Sequence, residues 1–391
     1  MYGQKDRRDM GVLGIKGAFL LAPRRREQEC PKLLVQAGIC PPDERWVIQK
    51  AMYGLETSPA DWSSFRDQRV KKFEWSSNGR SFWMRQTVEP NVWQLVSSEE
   101  PGRADSDERV EGFCTFYVDD VLVCGPTEVI KGCLNRINQE WNCSEAEYLS
   151  EKGMLRFCGM ELKLHPRGGI LLSQESYTKD LLDRYPEVPE ALVPIARTED
   201  VEESPPEPAD VKRAQTLVGE LLWVSTKTRP DVAYAVSWMG SRASKCPKKV
   251  CQLGRQTLGY LKATVGHGLL YQKCQEADRG PNGNLAFCRD ANTLEVHSDA
   301  SFGPGGERSH QGLLAVWAGG LIQWESKRQS FATLSSSESE VTSYVDAMSL
   351  GDSVAVLVDL FEEGRLTEKG TRVLYGDSQS GIQVVLNPNG P

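Results

Sequence analysis

The sequence predicts a multidomain protein of mixed α+β and α/β character. Three observations predict it. At 391 residues the chain is long enough for two or three domains, each with its own core. Short β-prone runs alternate with stretches whose apolar residues recur at three and four. Two polar breaks divide it, TEDVEESPPEPAD at 198–210 and QEADRGPNGNLAFCRDAN at 275–292. The expected parts are therefore 1–197, an acidic Pro-rich linker at 198–210, a helical part at 211–275 and a final part at 290–391.

Hydrophobic content of 39% and charged content of 26% are ordinary for a globular protein. The net charge of −8 argues against a strongly basic nucleic-acid coat, although a local basic groove is compatible with it. Eleven cysteines without a C-x-x-C pair, and only four histidines, argue against zinc and against a disulfide framework. The N-terminus, MYGQKDRRDM, lacks the apolar core of a signal peptide, and no apolar run approaches membrane-spanning length. These features lead us to expect a soluble, intracellular protein.

In the first part, a polar insert at 97–112 precedes CTFYVDDVLVCG (114–125). There Asp119 and Asp120 stand side by side between β-prone runs. A two-residue hairpin turn favours Asn-Gly or Asp-Gly, so Asp-Asp is a poor turn. Two ionised acids near an apolar core are costly without hydrogen-bond donors or a cation. A metal site is the sharper reading. The second part reads as three helices, VKRAQTLVGELLWVST, RPDVAYAVSWMGSRAS and KKVCQLGRQTLGYLKATV, with Leu217, Leu221, Leu222 and Val224 as an apolar stripe. Arg242, Lys245, Lys248 and Lys249 are candidates to grip phosphates, or form a solvated face.

In the third part, LEVHSDASFG is a strand that ends at Asp299. A hairpin follows, QGLLAVWAG and LIQWESKRQ, with a turn expected at Gly319–Gly320. The stretch TLSSSESEVTSYVDAMSLGDSVAVLVDLF is a helix, and TRVLYGDSQSG is a strand with Asp377 at its end. On the helix, Glu340 shares a face with Tyr344 and Met348 and so heads the inward stripe, whereas Glu338 shares a polar face with Thr342 and Asp346. The competing reading has Glu340 close a capping box with Ser337. Asp299, Glu340 and Asp377 together would crowd like charges unless cations shared the site. Paired Mg²⁺ ions held by carboxylates are the usual device for phosphodiester cleavage.

The third part resembles the ribonuclease H domain of Ty1/copia-type retrotransposon polyproteins, through HSDASFG, SKRQSFATLSSSESEVTSY and LYGDSQSGIQVVLNP. The resemblance implies that Asp299, Glu340 and Asp377 hold Mg²⁺ (or Mn²⁺) and cut the RNA of RNA–DNA hybrids. Tyr117-Val118-Asp119-Asp120 resembles the YVDD box of reverse transcriptases, which implies Asp119 and Asp120 as catalytic metal ligands. KAMYGLETSPADW (50–62) resembles the family's nucleotide pocket, and implies Gly54, Ser58 and Pro59, with Tyr117, as nucleotide- or template-binding residues. LRFCGMELKL, LLSQESYTKDLLDRY, LVGELLWVSTKTRPDVAYAVS and LGYLKATVGHGLLY match later blocks in family order. The implied architecture is a reverse transcriptase palm-like domain, a helical connection and a ribonuclease H-like mixed sheet with helices.

Departures from the family matter as much. Its third polymerase acid precedes a Lys-x-Ala-Phe-Leu block, and in LGIKGAFLLAP that position is Gly14. Asp9 lies five residues out of register. Around Ser58 and Pro59, Glu56-Thr57 and Ala60-Asp61 stand where the family has Lys-Gln and Arg-Ala. A defective polymerase site is expected, together with truncation at both ends, since the family has fingers before this segment and a fourth acid after it. The implied partners are an RNA template, a DNA primer, dNTP, the RNA–DNA hybrid and other Pol and Gag products, with no membrane. The implied location is a cytoplasmic particle or the nucleus. Two other outcomes are a non-catalytic nucleic-acid-binding remnant and a frame that never folds alone.

Overall fold

The computed structural model describes residues 8–24, 34–35, 46–99, 108–166, 168–196, 206–272, 292–303, 308–361, 366–368 and 370–387. Most of the expected linker at 198–210, nearly all of the break at 275–292 and the middle of the 97–112 insert lie outside them. The architecture is mixed α/β, in two compact units, Met1–Cys158 and Gly159–Pro391.

The N-terminal unit runs β1 (Arg8–Gly14), α1 (Ala18–Leu21), β2 (Leu34–Val35), β3 (Trp46–Val47), α2 (Ser58–Val70), β4 (Glu74–Ser77) and β5 (Arg80–Gln86). It continues through β6 (Val92–Ser98), β7 (Arg109–Tyr117), β8 (Asp120–Pro126), α3 (Thr127–Glu140), β9 (Glu147–Tyr148), α4 (Leu149–Lys152) and β10 (Met154–Phe157). Seven strands form an antiparallel sheet in the order β4-β5-β6-β7-β8-β1-β9. Alternation sets its faces. Cys114 and Phe116 on β7 and Val121 and Val123 on β8 turn inward. They meet the apolar stripe of α3, Val129, Ile130, Cys133, Leu134 and Ile137, and the aromatic side chains Trp62, Phe73 and Trp141. A Cβ on Gly11 would come within 2.8 Å of Ile130 and Leu134, so this glycine lets α3 lie close on the sheet.

The β7–β8 connection does not use Asp119–Asp120 as its turn, in keeping with the poor fit of Asp-Asp to a hairpin. The two-residue tip is Val118–Asp119, Tyr117 pairs with Asp120, and Asp120 already belongs to β8. Val118, a β-branched residue, sits at a φ of 55°, the strained region that glycine ordinarily fills.

The C-terminal unit opens with antiparallel β11 (Met160–Leu164) and β12 (Ile170–Ser173), then α5 (Glu175–Asp183), α6 (Pro208–Ser225), α7 (Ala233–Gly240) and α8 (Pro247–Ala263), and β13 (Leu269–Tyr271) returns to β12. The three predicted helices are present. Leu217, Leu221 and Val224 are buried as expected, but Leu222 is half-exposed, because a position five residues after Leu217 falls well off the stripe.

The unit ends with β14 (Thr293–Ser301), β15 (His310–Trp317), β16 (Gly320–Arg328), α9 (Ser336–Asp359), β17 (Thr371–Tyr375) and α10 (Gln379–Leu386). Its sheet order is β16-β15-β14-β17, with β14 and β17 parallel. The β15–β16 tip lies at Ala318–Gly319, one residue before the expected turn. Both residues have positive φ, 50° and 79°, and Gly320 opens β16 instead. Helix α9 buries Ala347, Val354, Ala355 and Val358 against Leu294, Val296, Leu313 and Ala315, and Tyr344 is buried as well. By length and composition α9 is long and apolar enough to cross a membrane, against the sequence expectation, yet this packing is that of a core helix. The edge strand β16 is covered. Trp324 Nε1 donates to the Ser225 carbonyl at 2.7 Å, and the Tyr271 hydroxyl donates to the Leu321 carbonyl at 2.8 Å.

Two glycines of the first sheet test this packing. A Cβ on Gly112 would lie 2.3 Å from the Cys124 carbonyl oxygen, whereas one on Gly14 meets nothing closer than 3.8 Å. Gly112→Ala is expected to cost about 2–3 kcal/mol in urea denaturation and Gly14→Ala less than about 0.5 kcal/mol. Equal costs would contradict the close approach of β7 and β8.

Candidate metal centre and the hairpin carboxylates

Asp299, Glu340 and Asp377 come from three elements. Parallel pairing of β14 with β17 runs from Thr293↔Thr371 to His297↔Tyr375, so both strands deliver their acids to the same end of the sheet. Helix α9 supplies Glu340 from its first two turns. One carboxylate oxygen from each of the three lies within 4.8 Å of the others. Among the described residues, this is the one group of three or more His, Cys, Asp or Glu side chains that meets this criterion.

Capping does not occupy Glu340. The N-cap is Ser335, whose hydroxyl accepts from the Glu338 amide at 3.1 Å, and Glu338 Oε2 accepts from the Leu334 amide at 2.6 Å. The box forms around Ser335 and Glu338 rather than Ser337 and Glu340. Ser337 instead donates to the Ser380 hydroxyl at 2.9 Å. Glu340 is free to point inward, and it is buried.

The close approach depends on small residues. A Cβ on Gly376 would fall 2.5 Å from the Tyr344 ring, and one on Gly381 would fall 3.1 Å from Glu340 Cβ. These glycines in YGDSQSG let β17 and α10 close on α9. Ser298 and Ser343 join strand and helix with hydroxyls 2.6 Å apart. Neither the glycines nor the serines were singled out from the sequence, although the glycines flanking Asp377 carried the signal.

Electrostatics mark Glu340 out. Burial, then the charges of Asp299 and Asp377, push its carboxyl up to about 7, partly offset by a hydrogen bond from the Ala300 amide. Its Oε2 is buried with no hydrogen-bond partner. Asp299 and Asp377 are exposed at the mouth. An all-carboxylate oxygen set with one orphaned buried oxygen fits a hard divalent cation such as Mg²⁺ or Mn²⁺.

The hairpin acids are arranged differently. Asp120 stands opposite Gly14 in the β1–β8 ladder, and its Oδ2 accepts from the Cys158 amide at 3.3 Å. Burial, and to a lesser extent the Asp119 charge, raise its carboxyl above the usual range. Asp119 at the tip hydrogen-bonds Tyr53. Trp62 Nε1 donates to the Val118 carbonyl at 2.8 Å, so α2 holds the tip. Tyr53 and Trp62 were not singled out from the sequence.

The remaining candidates divide. Tyr117 pairs with Asp120 and is exposed. Gly54, at a φ of 88°, has nothing near its would-be Cβ. Ser58 is buried, with its hydroxyl spent on the Met52 carbonyl at 2.7 Å and the Met52 amide at 3.0 Å, and Pro59 starts α2. Asp9 accepts from Ser150 through both the amide and the hydroxyl and does not join the pair.

No protein-family model matches the chain. It is similar to the Retrovirus-related Pol polyprotein from transposon RE1 of Arabidopsis thaliana, 26% identical over 357 residues, covering 87% of this chain and 21% of that protein. The Pol polyprotein from transposon TNT 1-94 of Nicotiana tabacum is 24% identical over 96% of this chain and 26% of its own length. A transposon Ty5-1 protein of Saccharomyces cerevisiae is 25% identical over 73% of this chain and 83% of its own length. The chain thus spans about a fifth to a quarter of the length of the two Pol polyproteins. These distant matches support a fragment similar to retrotransposon Pol polyproteins of the Ty1/copia type.

Glu340 makes stability depend on pH. Its folded-state value of about 7 lies above the ordinary 4.5, so the unfolded chain releases this proton first. The contribution is full below about pH 4.5, declines as pH rises towards 7 and is level above. In EDTA, Glu340→Gln is expected to be more stable than the parent by about 2 kcal/mol at pH 8 and no more stable at pH 4. Thermal unfolding across pH reads this. An identical pH slope in both proteins would contradict the burial of Glu340.

Proposed function

We propose that the chain is a Pol-derived nucleic-acid-processing protein whose C-terminal unit, a ribonuclease H-like sheet with helices, cuts the RNA strand of RNA–DNA hybrids. The observation that carries this reading is the convergence of Asp299, Glu340 and Asp377 around an orphaned carboxylate oxygen. These three side chains would hold Mg²⁺ or Mn²⁺. Bound there, the cations supply Lewis acidity towards a phosphodiester and offset the crowded negative charge. Asp299 and Asp377 face the open side, where a strand can approach, while Glu340 anchors the set from beneath. Glu340, with its carboxyl near 7, is the group that gives up a proton as positive charge enters.

The N-terminal unit we read as a palm-like sheet that does not extend primers. Gly14 stands where the resemblance calls for an acid, directly opposite Asp120 in the ladder, and contributes no ligand. Asp119 and Asp120 each meet a neutral donor, Tyr53 and the Cys158 amide. A hydroxyl-locked Ser58 leaves less for a dNTP, an RNA template or a DNA primer to meet. This function would place the protein with its element's nucleic acid, in a cytoplasmic particle or the nucleus.

A second reading, binding without cutting, draws on the basic ends of α6 and α8. A cavity of about 650 Å³ there is lined by Lys212, Arg213, Lys248 and Arg255. Arg213 and Lys248 both turn to the buried Asp210.

Two assays test the proposal on the purified chain. With a labelled RNA–DNA hybrid and Mg²⁺, the RNA strand is expected to be cut, and Asp299→Asn or Asp377→Asn is expected to lower the rate about a hundredfold or more. Cleavage unchanged in Asp299→Asn would reject the site, and salt-dependent binding with no cleavage would favour the second reading. On a primed RNA template with dNTPs no extension is expected, and extension abolished by Asp119→Asn would reject the account of Gly14.

A further inference from the structure

The face of the β14-β15-β16-β17 sheet turned away from α9 carries a polar and aromatic track leading from the carboxylates to the helical part of the same unit. Leu294, Val296 and Ser298 face α9, so the alternate residues His297, Asp299 and Ser301 lie on the other side. Cross-strand pairing arranges them in rungs. His297 lies beside Tyr375, Asp299 beside Gly312 and Ser326, and Ser301 beside His310 and Arg328. A cavity of about 690 Å³ opens over these rungs, within the range of nucleotide-sized ligand pockets. Asp299 and Asp377 line one end, and Ala233 and Tyr234 of α7 line the other.

Three features suit this cavity to a nucleotide. Gly312 clears the floor next to Asp299, since a Cβ there would meet nothing within 4 Å and a side chain would fill the space. At the far end the Tyr234 ring, 45% exposed, stands edge-on to His310 at 5.0 Å between centroids. This contact fixes the tyrosine and leaves ring surface open for a base. His310 Nε2 is held by the Ser326 hydroxyl at 3.0 Å. On the carboxylate side Tyr375, 44% exposed, stacks on His297 at 4.8 Å and 12°. Aromatic faces beside a polar track are how proteins take hold of unpaired or splayed bases.

We infer that this cavity seats an unpaired nucleotide of the bound strand, at the end of the hybrid and adjacent to the carboxylates, with its base on Tyr234 of α7 and its backbone over Gly312. The inference rests on the hybrid-cleavage reading for its substrate class, but its residues lie outside the carboxylate set. Tyr234 is thereby a substrate-binding residue supplied by the helical part, and the ribonuclease-like sheet does not by itself hold the whole site.

The test is fluorescence anisotropy of the full chain with a labelled RNA–DNA hybrid carrying a single-stranded overhang, in Ca²⁺, beside melting temperatures. Tyr234→Ala is expected to weaken binding about tenfold, and Tyr234→Phe, which keeps the ring, to bind as the parent. Gly312→Leu, which fills the floor without a clash, is expected to weaken binding at least as much with no loss of melting temperature. Unchanged affinity in both Tyr234→Ala and Gly312→Leu would overturn the inference, even if the parent cleaves hybrids. Tyr234-dependent binding by a chain that cuts no RNA would uphold it and overturn the cleavage reading instead.

Discussion

Three carboxylates within 4.8 Å of one another repel, and the last hundred residues are organised around bringing them there despite that. Parallel pairing of β14 and β17 is what sends Asp299 and Asp377 to one end, and a parallel pair requires a crossover, here made through the β15–β16 hairpin and α9. The crossover helix then brings the third acid. Its approach is permitted by Gly376 and Gly381, and its first turn is capped by other groups, so that Glu340 need not serve its own helix end. Burial first, and then this repulsion, hold the Glu340 carboxyl near 7, a state that favours whatever can supply positive charge.

The same chain shows what happens when such a cluster is not completed. At the β7–β8 tip two acids are adjacent in sequence, yet strand geometry separates their roles, one at the turn and one in the ladder. Each has found a neutral donor, Tyr53 or the Cys158 amide. The conformational strain at Val118 is held by the surrounding structure, in particular by the hydrogen bond from the buried Trp62. The C-terminal cluster, with its orphaned oxygen, is not satisfied in that way.

Much of this was legible in the residues. The 3.6-residue period separated Glu340 from Glu338 and placed Tyr344 inward, while the strand expected to end at Asp299 runs on to Ser301, with Asp299 paired to Gly312 inside the ladder. Strand alternation around CTFYVDDVLVCG was equally clear. What was hidden depends on register or on distant partners. The turn residues Val118 and Ala318 adopt positive φ without being glycine, so turn chemistry pointed one residue too far along the chain in the β15–β16 hairpin and did not mark Val118 at the other tip. The sequence did not single out the capping serine, because Ser335, Ser336 and Ser337 all offer the same hydroxyl and Ser335 takes the role. Tyr234 was invisible as a site residue, since only the folded chain carries α7 to a strand some eighty residues later.

The covering of β16 has a consequence for how such a chain can be divided. An uncovered edge strand is a template for pairing with other chains, and here Trp324 and Tyr271 tie that edge to the residues around α6 and β13. A piece carrying the last sheet without 206–272 would expose that edge and lose the part of the cavity wall made by Pro230, Ala233 and Tyr234. The smallest piece that keeps the edge covered and the cavity walled includes the helical part as well as the sheet.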